Sequence, residues 1–337
     1  YNYRIRNKTN STVLQLNSRL GNSMSNELIV GFTSIRDRRS GTAAASPEVE
    51  VRDGGFNMFA GPDRFSSANE LDQDVLEITD NFSYYVGNHI FTVGTHNEFF
   101  SFRNMFVRSF FGYYQYNSLA DFTANKVAFY QRVYGKKDPS VAPAAEFSVA
   151  QLGFYVQDEW TILPTLKLTY GIRVDIPTFP EAPEANPLLT EKFPGYQTDA
   201  APSGNLLFSP RVGFNWDVNG DRSTQFRGGL GLFTGRVPYV WISNNYGNSG
   251  TLLAEVRNKT TGGVLPFIAN PYNQYFAGDP RAAGALGDPR LQSEINIADP
   301  DLKMPQVLRF NLGVDQELPL GFVGTVELLY SSTVNDM

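Results

Sequence analysis

The sequence predicts an all-β protein, an antiparallel meander forming part of a large transmembrane β-barrel. Three observations carry this. About twelve segments alternate apolar and polar residues with a period of two. Short and long connections alternate between them. No stretch approaches the roughly 18 uncharged apolar residues of a spanning helix. The tightest connections are Gly87-Asn88, Leu163-Pro164-Thr165, Asn219-Gly220-Asp221 and Pro319-Leu320-Gly321, and the long ones run 36–72, 177–207 and 235–305. A water-soluble sandwich has no reason to gather its loop length at one end. An outer-membrane barrel does, with short periplasmic turns and long outer loops.

The predicted strands, in order, are 10–17, 26–35, 73–86, 89–102, 108–116, 126–134, 147–161, 166–176, 208–218, 223–234, 306–317 and 322–332. The clearest is the eighth. Leu168, Tyr170, Ile172 and Val174 fall on one face and Lys167, Thr169, Gly171, Arg173 and Asp175 on the other. Residues 211–218 set Val212, Phe214 and Trp216 against Arg211, Gly213 and Asn215, and 308–315 set Leu308, Phe310 and Leu312 against Arg309, Asn311 and Gly313. Such two-faced strands suit a wall between lipid and lumen, so Leu168, Tyr170 and Ile172 are expected to face lipid and Thr169, Gly171 and Arg173 the lumen. Two connections are partial exceptions that the parity survives: 103–107, short for an outer loop, and 117–125, where Leu119–Phe122 is expected to make a helical turn on the periplasmic side. Asn219-Gly220 and Gly87-Asn88 supply positive-φ positions for two-residue turns. Pro177, Pro180, Pro183, Pro187, Pro194 and Pro202 make 177–207 an irregular loop.

Composition agrees. Mean hydropathy is −0.27, as expected where lumen-facing polar residues offset lipid-facing apolar ones. Aromatic residues are plentiful, with 26 Phe, 17 Tyr and 3 Trp, which suits strands and interfacial girdles. Cysteine is absent, which excludes disulfides and thiolate metal sites. A net charge of −6 argues against a nucleic-acid partner. The chain opens at Tyr1 without a signal sequence and stops at Met337 after a strand, so both ends are expected to be cut edges of a longer protein.

Enzymatic chemistry has no foothold, and no cofactor is expected. His89 and His96 are seven apart in one strand and point to opposite faces, as do the adjacent Asp158 and Glu159. Glycines 228, 229, 231 and 235 lack dinucleotide-binding spacing; they suit curvature or the close approach of another group. The repeat Gly278-Asp279-Pro280-Arg281, Gly287-Asp288-Pro289-Arg290, followed by Ala298-Asp299-Pro300, reads as turn punctuation. A calcium-loop reading fits no known ligand spacing.

The run Gly153-Phe154-Tyr155-Val156-Gln157-Asp158-Glu159-Trp160, followed by Leu168-Thr169-Tyr170-Gly171-Ile172-Arg173-Val174-Asp175, resembles the TonB-dependent outer-membrane receptors. Phe208-Ser209-Pro210-Arg211-Val212-Gly213-Phe214 and Phe226-Arg227-Gly228-Gly229-Leu230-Gly231-Leu232-Phe233 look like their Oar-like branch. The resemblance implies a barrel of about 22 strands, closed by an N-terminal plug and energised by the inner-membrane TonB complex. Its ligands would be metal chelates, cobalamin, glycans or peptides. The sequence shows no plug, no TonB box and no closing strand, so residues 1–337 are expected to form an open, partial wall in outer-membrane lipid. Expected lumen residues, facing plug or substrate, are Gln157, Glu159, Lys167, Arg173, Asp175, Arg211, Asn215, Arg227 and Arg309. Expected outer-loop contacts to an unidentified ligand are Tyr239, Trp241, Tyr246, Tyr272, Tyr275 and Phe276, although loop aromatics equally serve to pack the loop. Two other functions compete: a passive porin-like channel or surface anchor, and a soluble adhesin or glycan-binding β-protein.

Overall fold

The structure, a computed structural model, describes residues 3–42, 44–236, 238–258, 265–282, 284–287, 290–291 and 294–336. A ten-stranded sheet forms a wall, and a second sheet of six strands is built from its long connections. The wall strands are β1 (Tyr3–Leu20), β2 (Met24–Gly41), β5 (Asn69–Val86), β6 (His89–Phe106), β9 (Ala145–Leu163), β10 (Leu166–Thr178), β11 (Leu207–Asp217), β12 (Thr224–Thr234), β15 (Gln306–Leu318) and β16 (Phe322–Asn335). They pair in that order, each antiparallel to the next, and the sheet is open, with β1 and β16 at its edges.

The alternation of connections is stricter than the sequence suggested. Residues 21–23, 87–88, 164–165, 218–223 and 319–321 turn at one end; 42–68, 107–144, 179–206 and 235–305 cross at the other. Gly87 turns its hairpin at φ 56°. The Asn219-Gly220 turn is longer than a two-residue turn. Gly220 and Arg222 take positive φ there, and the Asp217 carboxylate accepts hydrogen bonds from their backbone N–H groups.

Two predicted strands, 108–116 and 126–134, are not part of the wall. The chain leaves the wall at Phe106 and returns at Ala145, forming β7 (Tyr113–Tyr116), α1 (Leu119–Thr123) and β8 (Phe129–Gly135) in between. The helical turn at 119 thus exists, but at the long-loop end. Alternation is no guide here because β7 and β8 alternate too, yet both of their faces are buried against protein. With β3 (Glu48–Asp53), β4 (Phe56–Ala60), β13 (Leu253–Arg257) and β14 (Arg290–Leu291) they form the second sheet, in the order β14-β13-β8-β7-β3-β4. Its core holds Tyr114, Tyr116, Tyr130, Val133, Val256 and Tyr275, all nearly or fully buried. Tyrosines are admissible there because their hydroxyls find partners: Tyr114 donates to Gln274 Oε1 at 2.8 Å and Tyr275 to the Pro266 carbonyl at 2.8 Å. Asp279 of the repeat is bound by its own neighbour, with Arg281 Nη2 2.5 Å from Oδ2. Asp299 caps a turn by accepting from the Asp301 N–H at 2.9 Å. Asp288 and Pro289 of the repeat lie outside the described residues.

On the wall itself a core forms only toward the long-loop end among the described residues, where Phe100, Phe102, Phe147 and Val149 are buried under the loops; the opposite face has none. The register of the wall carries Tyr170 across to Val212, Leu230, Phe310 and Tyr330, and Ile172 to Val156 and Val93. Val93, Val156, Ile172, Val212 and Leu230 are all at least 42% exposed, a continuous apolar surface with no protein over it. His89 and Asp158 lie on this face, His96 and Glu159 on the other, as their spacing required. Asp158 is not a naked charge: His89 Nδ1 and the Tyr170 hydroxyl each sit 2.8 Å from its Oδ2.

That clamp decides where to probe the face. An arginine replacing Tyr170 would stand directly opposite Asp158, whereas one replacing Ile172 would stand opposite Val156 and Pro210. In refolding titrations of the complete protein in lipid, Ile172→Arg should cost about 2–4 kcal/mol and Thr169→Arg close to nothing. Equal costs would contradict the assignment of faces.

Candidate functional site

The nine predicted lumen residues share one face of five adjacent strands. Gln157 stands opposite Gly171, Gly171 opposite Arg211, Arg211 opposite Gly231 and Gly231 opposite Arg309. Glu159 lies opposite Thr169, and Lys167, Asn215 and Arg227 form a second row. Arg173 and Asp175 follow two and four positions beyond Gly171 on β10.

Most of the charges are matched within the face. Lys167 Nζ is 2.7 Å from Glu159, Arg173 is 2.7 Å from the buried Asp175, and Arg227 reaches both Asp315 at 3.0 Å and Glu327 at 2.9 Å. Arg211 and Arg309 are different. Their guanidiniums flank the Phe233 ring, 4.4 and 5.8 Å from its centroid, and among the described residues neither forms an ion pair or a side-chain hydrogen bond. A groove of about 450 Å³ opens beside Arg211, lined by Thr79, His96, Tyr155, Gln157 and Arg173.

Glycines make room for these long side chains. Tyr155 lies across Gly94, where a Cβ would fall 2.5 Å from its ring, and donates from its hydroxyl to Asn81. The Arg173 guanidinium covers Gly153, and Arg211 and Phe233 close over Gly231, each 3.0 Å from where a Cβ would stand. This is the close approach that the glycine-rich β12 sequence suggested.

The long-loop end covers the same face. Helix α3 (Tyr239–Gly247) packs onto β6 and β9, with Tyr246 stacked on Phe147 at 4.5 Å and Tyr239 edge-on to Phe100 at 5.1 Å. Polar contacts fix its seat. The Tyr239 hydroxyl donates to Gln151 at 2.8 Å, the Tyr246 hydroxyl to the Glu181 carbonyl at 2.6 Å, and Asn104 Nδ2 to Ser243 at 2.7 Å. Burial pushes the Tyr246 hydroxyl up to about 12. Arg236, just before the helix, pairs with Glu98 at 2.6 Å. Sequence reasoning missed Arg236, Tyr155 and Asn81, because their partners lie on other strands and no local pattern announces them.

The six loop aromatics therefore divide. Tyr239, Tyr246 and Tyr275 are buried as packing residues, whereas Trp241 is 56% exposed, Tyr272 67% and Phe276 37%. Only the exposed three offer free ring surface.

One buried cation unites the loops above. Arg132, 2% exposed, donates to the carbonyls of Phe110, Gln274, Tyr275 and Pro139 at 2.6–3.0 Å. Burial lowers its pKa. Two strands away in the same sheet, burial pushes the Glu50 carboxyl up, but hydrogen bonds from Arg52 and Tyr113 outweigh burial and hold it below its usual range.

The description "Outer membrane beta barrel domain" fits this architecture, and the family that carries it matches residues 2–334. The chain belongs to that family. Its wall is a bacterial outer-membrane wall, which removes the soluble-adhesin alternative. Among curated proteins, none matches the sequence. Among solved structures, the outer membrane transporter YddB from Escherichia coli is 13% identical, with a TM-score of 0.58 over 98% of this chain and 34% of that one. The ferric-catecholate import receptor Fiu from E. coli K12 (12% identical, TM-score 0.48) and the siderophore receptor PirA from Acinetobacter baumannii (11% identical, TM-score 0.47) follow over 98% and 97% of this chain. This outer-membrane domain spans 34–41% of the length of those three.

Replacing Arg132 tests how the loops are joined. Arg132→Ala leaves the Phe110, Tyr275 and Pro139 carbonyls without this donor, at least about 3 kcal/mol at about 1–3 kcal/mol per unmade buried partner, while the Gln274 carbonyl keeps a contact from Arg281. Limited proteolysis of the complete protein should then cut within 107–144 and 265–282 while the wall stays protected. Unchanged cleavage would show that the outer sheet does not depend on Arg132.

Proposed function

We propose that this wall belongs to a TonB-dependent receptor of the Oar-like branch. It takes up a bulky ligand (a metal chelate, glycan or peptide) with energy delivered by the inner-membrane TonB complex. The observation that carries the reading is the unbalanced inner face. Arg211 and Arg309 stand unpaired beside a groove, where a plug domain of the same protein would bring carboxylates and complete charge-assisted hydrogen bonds. The other seven inner residues, Gln157, Glu159, Lys167, Arg173, Asp175, Asn215 and Arg227, line the rest of that docking wall. At the outer end Trp241, Tyr272 and Phe276 offer a first contact for ligand, on loops seated by α3 and Arg132.

A passive channel would leave the inner face open to water and conduct ions unaided. Planar-bilayer recording of the complete protein, paired with a binding assay against the periplasmic domain of TonB, separates the two. The receptor reading predicts capture of TonB and no steady conductance. Ohmic conductance without TonB binding would favour the porin-like alternative.

A further inference from the structure

Helix α3 sits below the outer surface, on the inner side of the wall. Phe32, Leu76 and Phe99 form the uppermost row that is apolar across the outward face of β2, β5 and β6, and Ser34, Asp74 and Ser101 stand one row above it. On the opposite face, the first turn of α3 is level with that apolar row. Tyr239 meets Phe100, the neighbour of Phe99, and its hydroxyl reaches Gln151, which is paired with Glu98 just below. From there the helix climbs along β9, through Tyr246 on Phe147, to Gly247 beside Ala145 at the start of the strand.

Both ends of the helix are tied. Before it, Arg236 pairs with Glu98 at 2.6 Å, and its guanidinium lies over the Phe100 ring at 5.3 Å. Arg236 comes directly after β12, yet Glu98 belongs to β6, with β11, β10 and β9 between them in the sheet. Such a contact needs a curved wall, with Arg236 on its concave side. After the helix, Asn248 Nδ2 donates to Asn296 Oδ1 at 2.8 Å and Asn186 Nδ2 to the Ser249 carbonyl at 2.9 Å. Of the helix itself, Val240, Trp241 and Asn244 are exposed, a spacing that puts them on one side, turned from the wall. Trp241 is 56% exposed. Among the described residues neither its indole N–H nor the Asn244 carboxamide has a hydrogen-bond partner.

We propose that α3 is a fixed ledge inside the barrel mouth, and that Trp241 meets an entering solute within the lumen, level with the top of the lipid-facing band, and not at the cell surface. With a diameter of about 10 Å, the helix narrows the mouth beside β6 and β9. Its exposed side carries no charge, so it suits the flat, uncharged part of a solute, with the indole N–H and the Asn244 carboxamide at hand for polar groups at its edge. Being seated beforehand, the ring loses little conformational freedom when it is covered. The placement rests on the wall and holds for a receptor or a passive channel, so it stands apart from the TonB reading.

The test uses a cysteine-free version of the complete protein in intact cells. Two membrane-impermeant maleimides are compared, one small and one carried on a long polyethylene glycol chain. Both should react with Phe56→Cys, on the outer surface. With Trp241→Cys the small reagent should react and the long one should be at least about tenfold slower. Tyr246→Ala removes the stack on Phe147 and loosens the ledge, so in that background most of the loss should be recovered. Tyr246→Phe keeps the ring and should keep the difference. Heat-modifiable migration checks that each variant is folded. Equal reaction of both reagents with Trp241→Cys would place the helix on the outer surface and overturn the proposal. So would failure of both, which would mean that the position is covered, as by a plug, and meets no entering solute. An unchanged difference in Tyr246→Ala would show that this seat does not hold the helix, and would overturn it too.

Discussion

A single-layer sheet satisfies its backbone sideways, strand to strand, and leaves both faces to the side chains. Everything else in this structure follows from that. The ladder from β1 to β16 uses the N–H and C=O groups between neighbouring strands, the condition for crossing hydrocarbon without water. No second layer lies over the apolar rows through Val93, Val156, Ile172, Val212 and Leu230. In water such a surface would be a liability; in the outer membrane it is the surface in contact with lipid. The opposite face is free to be polar, and its Arg, Lys, Asp and Glu residues are largely paired within the face.

Buried aromatic cores form only where the chain leaves the wall. The outer sheet buries tyrosines around Arg132, and α3 buries Tyr239 and Tyr246 against β6 and β9. The loops thus have a stable conformation of their own and hold Trp241, Tyr272 and Phe276 in the open. Rigid seating matters for recognition, because a preorganised loop loses less conformational entropy on binding.

The wall was largely legible in the sequence, since a period of two with one apolar face is a local signal. Strands 166–176, 306–317 and 322–332 lie within β10, β15 and β16. The expected strands 10–17 and 26–35 are shorter than β1 and β2 because Arg6, Lys8, Arg36 and Arg38 occupy positions where the lipid pattern calls for apolar residues. The strands nonetheless continue through them in unbroken register. β7 and β8 depart for the opposite reason: their alternation is genuine, but both faces meet protein. Local periodicity cannot distinguish lipid from a protein core. Parity alone puts the nine inner residues on one shared face, as the register does, yet their pairing was not readable. Whether Arg173 meets Asp175 or Arg211 stays unpaired depends on register across strands distant in sequence.

The central claim is that the wall spans the outer membrane with its long connections outside and its short turns in the periplasm. Since this chain contains no cysteine, single thiols can be introduced into a cysteine-free version of the complete protein. Phe56, 77% exposed at the start of β4, and Asn88, in the turn between β5 and β6, mark the two ends. A membrane-impermeant maleimide applied to intact cells should label Phe56→Cys, and should label Asn88→Cys only after the outer membrane is opened. Labelling of Asn88→Cys in intact cells, with Phe56→Cys protected, would contradict the account.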